Sequence, residues 1–243
     1  MITDWLTDQC PGNKKLFPRI SFILFTFISL VLVFPSCQKT ETSKYPNGQV
    51  KFVLHKNEQG KLHGESKYWY ENGNLMLTAD YTNGIIDGKL IRYREDGTKL
   101  TEDVFVNGKL NGVCREFHYN GNVLSEMPYV NDTLHGMSRQ FDDVGQVMIE
   151  GIYEHGYFEG KWTYYNRSGD IIGEAAYKRG TGIKKSYDAN GNVIGIAEYK
   201  DNLMHGKEVW YSTSGKLVRT RYYDHGDPVE HVVESPVDSL SVN

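Results

Sequence analysis

Glycines and aromatic residues alternate along this chain on a fixed beat, and that beat restricts its fold more than any other feature. In GKWTYYNRSGDIIGEAAYKRG, residues 160–180, glycines stand at Gly160, Gly169 and Gly180, and rings at Tyr165 and Tyr177. The same order starts again at Gly64, Gly88, Gly112, Gly136, Gly182 and Gly206. The first ring of each unit falls at Trp69, Tyr93, Phe117, Phe141, Tyr165, Tyr187 and Tyr211, and the second at Tyr81, Phe105, Tyr129, Tyr153, Tyr177, Tyr199 and Tyr223. Units begin 24 residues apart, except that two residues are missing between Gly160 and Gly182. Asp132 and Asn202 replace glycine in the last slot of their units, and a partial unit begins at Tyr45. Self-similarity at a fixed period of this size marks a repeat architecture, in which each unit buries its apolar surface against its neighbours.

Each unit holds two segments of strand length, such as KWTYYN and DIIGEAAY. Between them stand ENG, EDG, YNG, RSG, ANG or TSG, and Asn-Gly and Asp-Gly supply the positive φ of tight hairpins. The other turn, TNGIIDG, VNGKLNG or EHGYFEG, reads as a longer connection. The expected fold class is all-β: an elongated antiparallel β-hairpin repeat array, a meander of roughly fifteen strands. At about 4.8 Å between strands it extends for roughly 70 Å. Leu75, Val123, Val147, Ile171, Val193 and Leu217 lie an even number of residues before the second ring, so parity places this aliphatic row on that ring's face.

The protein has 243 residues, 24% of them charged, and a formal net charge of −4. That balance lacks the basic footprint of a nucleic-acid binder. Near the N-terminus, basic KKLFPR precedes the apolar run 20–34 and then PSCQK. A basic flank, a short apolar core and a small residue read as an export leader, 1–36. The Ser36–Cys37 junction resembles a bacterial lipobox. That resemblance implies lipid attachment at Cys37, a tether over 37–44 and a membrane-anchored location in the cell envelope. Cys10 would leave with the leader and Cys37 would be acylated, so Cys114 would have no disulfide partner; it reads as a small strand residue. The repeat domain is expected over 45–226, with a C-terminal cap or tail over 227–243.

The segments YENGNLMLTADYTNGIIDGKL and YYNRSGDIIGEAAYKRG resemble the MORN repeat variant found in bacterial proteins known as YwqK-family antitoxins. The resemblance covers about residues 45–226. It implies a β-hairpin array that binds proteins or membranes, and its antitoxin label implies neutralising a toxin by direct contact.

No constellation of side chains points to catalysis. His63, His135 and His205 occupy equivalent slots, but His63 and His135 are three repeats, or about 30 Å, apart, too far for one metal ion. The GK pairs lack the strand–loop–helix setting of a phosphate site. The expectation is therefore a non-enzymatic protein with no metal and no cofactor, acting through an unidentified protein partner. An antitoxin or, less favoured, an exported carbohydrate-active enzyme are the alternatives. Tyr68, Tyr70, Trp162, Tyr164 and Trp210 are rings that the beat does not demand, which makes them the candidate contact residues.

Overall fold

The structure, a computed structural model, describes residues 39–234. The leader, Cys37 and the last residues, 235–243, lie outside the described residues. The described residues form one antiparallel sheet of nineteen strands, without helices. Each strand pairs with the next in the chain, as in Gly64–Trp69 with Leu75–Thr82 and then Leu75–Thr82 with Ile85–Tyr93. Two very short strands, Lys109–Leu110 and Thr133–Leu134, are the opening residues of the longer strands that follow them.

The sheet extends past the expected domain limits. Lys39–Lys44, expected as part of a tether, is a strand paired with Val50–Lys56. Asp227–Glu234, expected as a cap or tail, is the final strand and pairs with Leu217–Asp224.

The two kinds of turn are the reverse of the expectation. In TNG the loop has only two residues: Thr82 pairs with Ile85, and Asn83 and Gly84 have φ of 53° and 90°. Positive φ at both central residues defines the type I′ hairpin, which matches the strand twist. Asn107, Asn131, His155, Arg179, Asp201 and His225 repeat the first of these positions. At the ENG side only the glycine is left-handed: Gly73 has φ 89°, and its N–H bonds the Tyr70 carbonyl at 3.0 Å. This is a type I turn closed by a left-handed glycine, and Asn72 serves through its side chain, accepting from the Asn74 N–H at 2.9 Å.

A one-residue bulge follows each of these tips. Tyr68 pairs with Leu77 but Trp69 pairs with Leu75, which leaves Met76 extra. The shift recurs in every later unit, as at Arg92/Tyr93 and Trp210/Tyr211. Cross-strand partners share a face, so the bulge turns the Leu75 row onto the face of the first ring, opposite the second. Lys99, in that row, confirms it: its ammonium sits 5.0 Å over the ring of Phe117. The expected union of aliphatic row and second-ring row on one face is therefore corrected. We call the face of the second rings the front and that of the first rings the back.

A larger bulge lies beside each type I′ turn. Asp80 faces three residues, Asp87, Gly88 and Lys89, and its carboxylate accepts from the Lys89 N–H at 3.1 Å. Glu198 does the same for the Lys207 N–H at 2.9 Å. The short unit lacks this bulge. Gly173 through Lys178 pair with Ser186 through Thr181 without a shift, so the two missing residues are the bulge itself.

Bonds between repeats run along both edges. The Gly84 N–H reaches the Leu62 carbonyl at 2.7 Å, and Gly108, Asp132, Gly156, Gly180, Asn202 and Gly226 donate in the same way to the preceding turn. Where glycine is replaced, the side chain adds a contact: Asp132 accepts from the Leu110 N–H at 2.7 Å and Asn202 from the Phe158 N–H at 2.7 Å.

The core is thin and off-centre. Trp162, Ala175 and Tyr177 form its buried apolar cluster, packed with Tyr153, Phe158 and Tyr199 on the front. Ring centroids of Phe158 and Trp162 are 4.5 Å apart, and those of Tyr177 and Tyr199 5.5 Å. Trp162 lies flat over Gly151, where a Cβ would come within 2.0 Å of the indole. Cys114 is buried in strand Gly112–Phe117, as expected, and burial pushes its thiol pKa up.

Candidate functional site

Residues of one register cross the front as a straight row. From Tyr164 the pairing runs to Gly173, Ser186, Gly195 and Trp210. The two rings therefore stand four strands apart, about 19 Å, with only small side chains between them. A Cβ on Gly173 would lie 3.5 Å from the Tyr164 ring and one on Gly195 3.4 Å from that of Trp210, so each ring rests beside a bare backbone position at ordinary contact distance. In the adjacent row Lys184 lies between Ala175 and Ala197. Its ammonium sits 3.9 Å over the Tyr164 ring, a cation–π contact. Burial pulls the Lys184 pKa below its ordinary value, and the Glu208 carboxylate partly opposes that. A cavity of about 160 Å³ opens between Lys184, Glu208 and Trp210.

This floor limits the chemistry. Burial raises the phenol pKa values of Tyr164, Tyr177 and Tyr199, the last to about 12, so they are neutral hydrogen-bonding groups and not bases near neutral pH. The arrangement offers two aromatic walls, a flat polar floor and one cation.

The five sequence-predicted residues fare differently. Tyr164 and Trp210 come together as the two walls, and Trp210 is 38% exposed. Tyr68 occupies the same row many strands away, against Phe52, and does not join them. Trp162 is corrected: at 5% exposure it is core, and it offers a partner almost no surface. Tyr70 stands outside the row, and its hydroxyl donates to the Tyr93 carbonyl of the next repeat at 2.8 Å, tying the two repeats together. The sequence reading missed Gly173, Ser186, Gly195 and Lys184. The available signal was a glycine in the same slot of two successive units, each paired with an off-beat ring.

The back carries a second unforeseen pattern. Glu102, Glu126, Glu150 and Glu174 recur at one slot and meet Lys89, Arg115, Arg139 and Lys161 from the neighbouring strand. Hydrogen bonds from Lys89 and Lys99 hold the Glu102 carboxyl down to about 2.

Four segments, residues 62–83, 110–131, 181–201 and 204–225, match the MORN repeat variant. Each match ends at the first residue of a type I′ turn, Asn83, Asn131, Asp201 or His225. No curated protein matches the chain significantly.

Proposed function

We propose that this protein is a non-enzymatic binding module whose front face, between Tyr164 and Trp210, takes a protein partner. MORN repeats commonly mediate binding to proteins or membranes. The observation that carries the reading is the row itself. Two rings flank a floor reduced to glycine and serine in strands whose other repeats carry larger residues such as Leu77, Thr101 and Ile149 in the same slot. Tyr and Trp walls beside such a floor are well suited to partner contact. The test is capture of partners from cell envelopes by the wild type and by the Tyr164→Ala/Trp210→Ala double variant. A specific partner held by the wild type and lost by a folded double variant supports the reading; equal retention by both rejects it.

Anchorage belongs to the same proposal. Basic KKLFPR, the apolar run 20–34 and Cys37 after Ser36 support lipid attachment at Cys37 and a place in the cell envelope. Palmitate labelling should be present in the wild type and absent from Cys37→Ser; labelling of both rules out that attachment site.

A further inference from the structure

We propose that His205, Asp224 and His225 bind one divalent transition-metal ion of the zinc type, and that His135, Glu154 and His155 form a second site of the same design. The first set is already gathered: one ligand atom from each residue lies within 4.8 Å of the others. Asp224 Oδ1 is 3.2 Å from His205 Nδ1 and 2.6 Å from His225 Nδ1, and the two imidazole centroids are 4.9 Å apart. Two imidazoles and one carboxylate are a common donor set for zinc, with water completing the coordination.

The fold explains why these three meet. His225 is the first residue of a type I′ turn, at φ 48°, and Asp224 precedes it. His205 stands in the bulge beside the preceding turn, just before Gly206. The Gly226 N–H bonds the Met204 carbonyl at 2.8 Å and ties the two turns together. The other set repeats this three units earlier. His155 is at φ 51°, Glu154 precedes it, His135 precedes Gly136, and the Gly156 N–H bonds the Leu134 carbonyl at 2.8 Å. The His135 and His155 centroids are 5.3 Å apart. Glu154 is not gathered with these imidazoles as Asp224 is: it borders a cavity shared with His155, Tyr157 and Arg179, on the side of the following turn, so its side chain must rotate to supply the third ligand.

The scaffold accepts a histidine in the first slot, where His63 takes the Asn83 N–H at 3.4 Å, but it does not call for the three residues together. The slot of His205 exists to accept the backbone N–H of the next turn, which Asp87 does at 3.1 Å and Glu159 at 2.8 Å. His205 does it at 3.4 Å, a long and weak contact. The slot of His225 holds Asn83, Asn107 and Asn131 elsewhere, the usual residues for a left-handed position. Only two of the units place imidazoles in both slots, and the same two place a carboxylate beside them. The distance argument against His63, His135 and His205 sharing an ion stands. The ligands come from adjacent turns within one edge, not from one slot along it.

The experiment uses the full chain, stripped with chelator and dialysed against zinc chloride, with bound zinc counted per chain. His155→Asn and His225→Asn restore the asparagine that other repeats tolerate, so folding should be unaffected; circular dichroism of the metal-free proteins checks this. The expected result is loss of about one zinc per chain in each single variant and of about two in the double variant. The same zinc content in the wild type and the double variant, or no zinc retained by the wild type, overturns the proposal.

Discussion

Single atoms decide several positions. The absence of a Cβ at Gly151 lets the indole of Trp162 lie against the strand, with its N–H donating to the Ile152 carbonyl at 3.2 Å. Gly151→Ala should therefore expel the indole and cost about 1–3 kcal/mol, the usual range for overpacking. Thermal unfolding would show the loss, and tryptophan emission would shift to the red. Glu102 makes a pH prediction. Its folded carboxyl titrates at about 2, below its ordinary 4.5, because Lys89 and Lys99 bond the charged form. The unfolded chain takes up that proton first, so the stabilisation is full above about 4.5 and is lost as pH falls towards 2. Glu102→Gln should flatten that part of the stability-against-pH curve; an unchanged curve would show that the ammonium groups do not act on the carboxyl.

Among elements, the hairpin tips differ between the two ends of the sheet. Towards the N-terminus a side chain at the tip reaches forward: Tyr45 to the Trp69 carbonyl at 2.8 Å, Tyr70 to that of Tyr93, and Arg94 to that of Phe117 at 2.6 Å. Further along, Asp142, Asn166, Asp188 and Ser212 fold back on their own turns and accept from local N–H groups. Tyr70→Phe should accordingly cost about 0.5–1.5 kcal/mol, the net worth of one hydrogen bond, read in denaturant unfolding. Much of this layout was legible in the sequence. Fixed spacing of glycine and ring gave strands, turns and their antiparallel order, because each needs only local information. Facing was not legible, since the extra residue at Met76 and its counterparts reverses parity and leaves no mark in composition. The turn types were exchanged because Asn72 and Asn83 both precede glycine, yet only Asn83 is left-handed. Trp162 was misread as surface because Gly151, across the sheet, makes its pocket. Tyr164 and Trp210 were found by their departure from the beat, while the floor between them depends on which strands lie side by side.

At the scale of the whole sheet, the described residues make most of their contacts between neighbouring strands, the Asn202 bonds to Phe158 and Gly156 being an exception, so stability is largely a sum of local terms, with an aromatic cluster around Trp162 and Tyr177. The short unit is a discontinuity in that sum. Without its bulge, the turn at Gly180 sits close beneath Asn202, whose amide passes over it to donate to the Gly156 carbonyl at 2.8 Å. A Cβ on Gly180 would lie 2.6 Å from the Asn202 side chain, so that crossing exists only while the position stays bare. The bonds from one turn to the turn before it bear on what a protease would achieve. Severing the peptide at the exposed tip around Val144 cuts covalent continuity but leaves intact the Gly156 link to Leu134 and the pairing of Gly136–Phe141 with Val147–Glu154. The two pieces should remain together as one particle on gel filtration and part only in denaturant, so this ribbon can be divided and rejoined like a zip whose teeth do not depend on the tape.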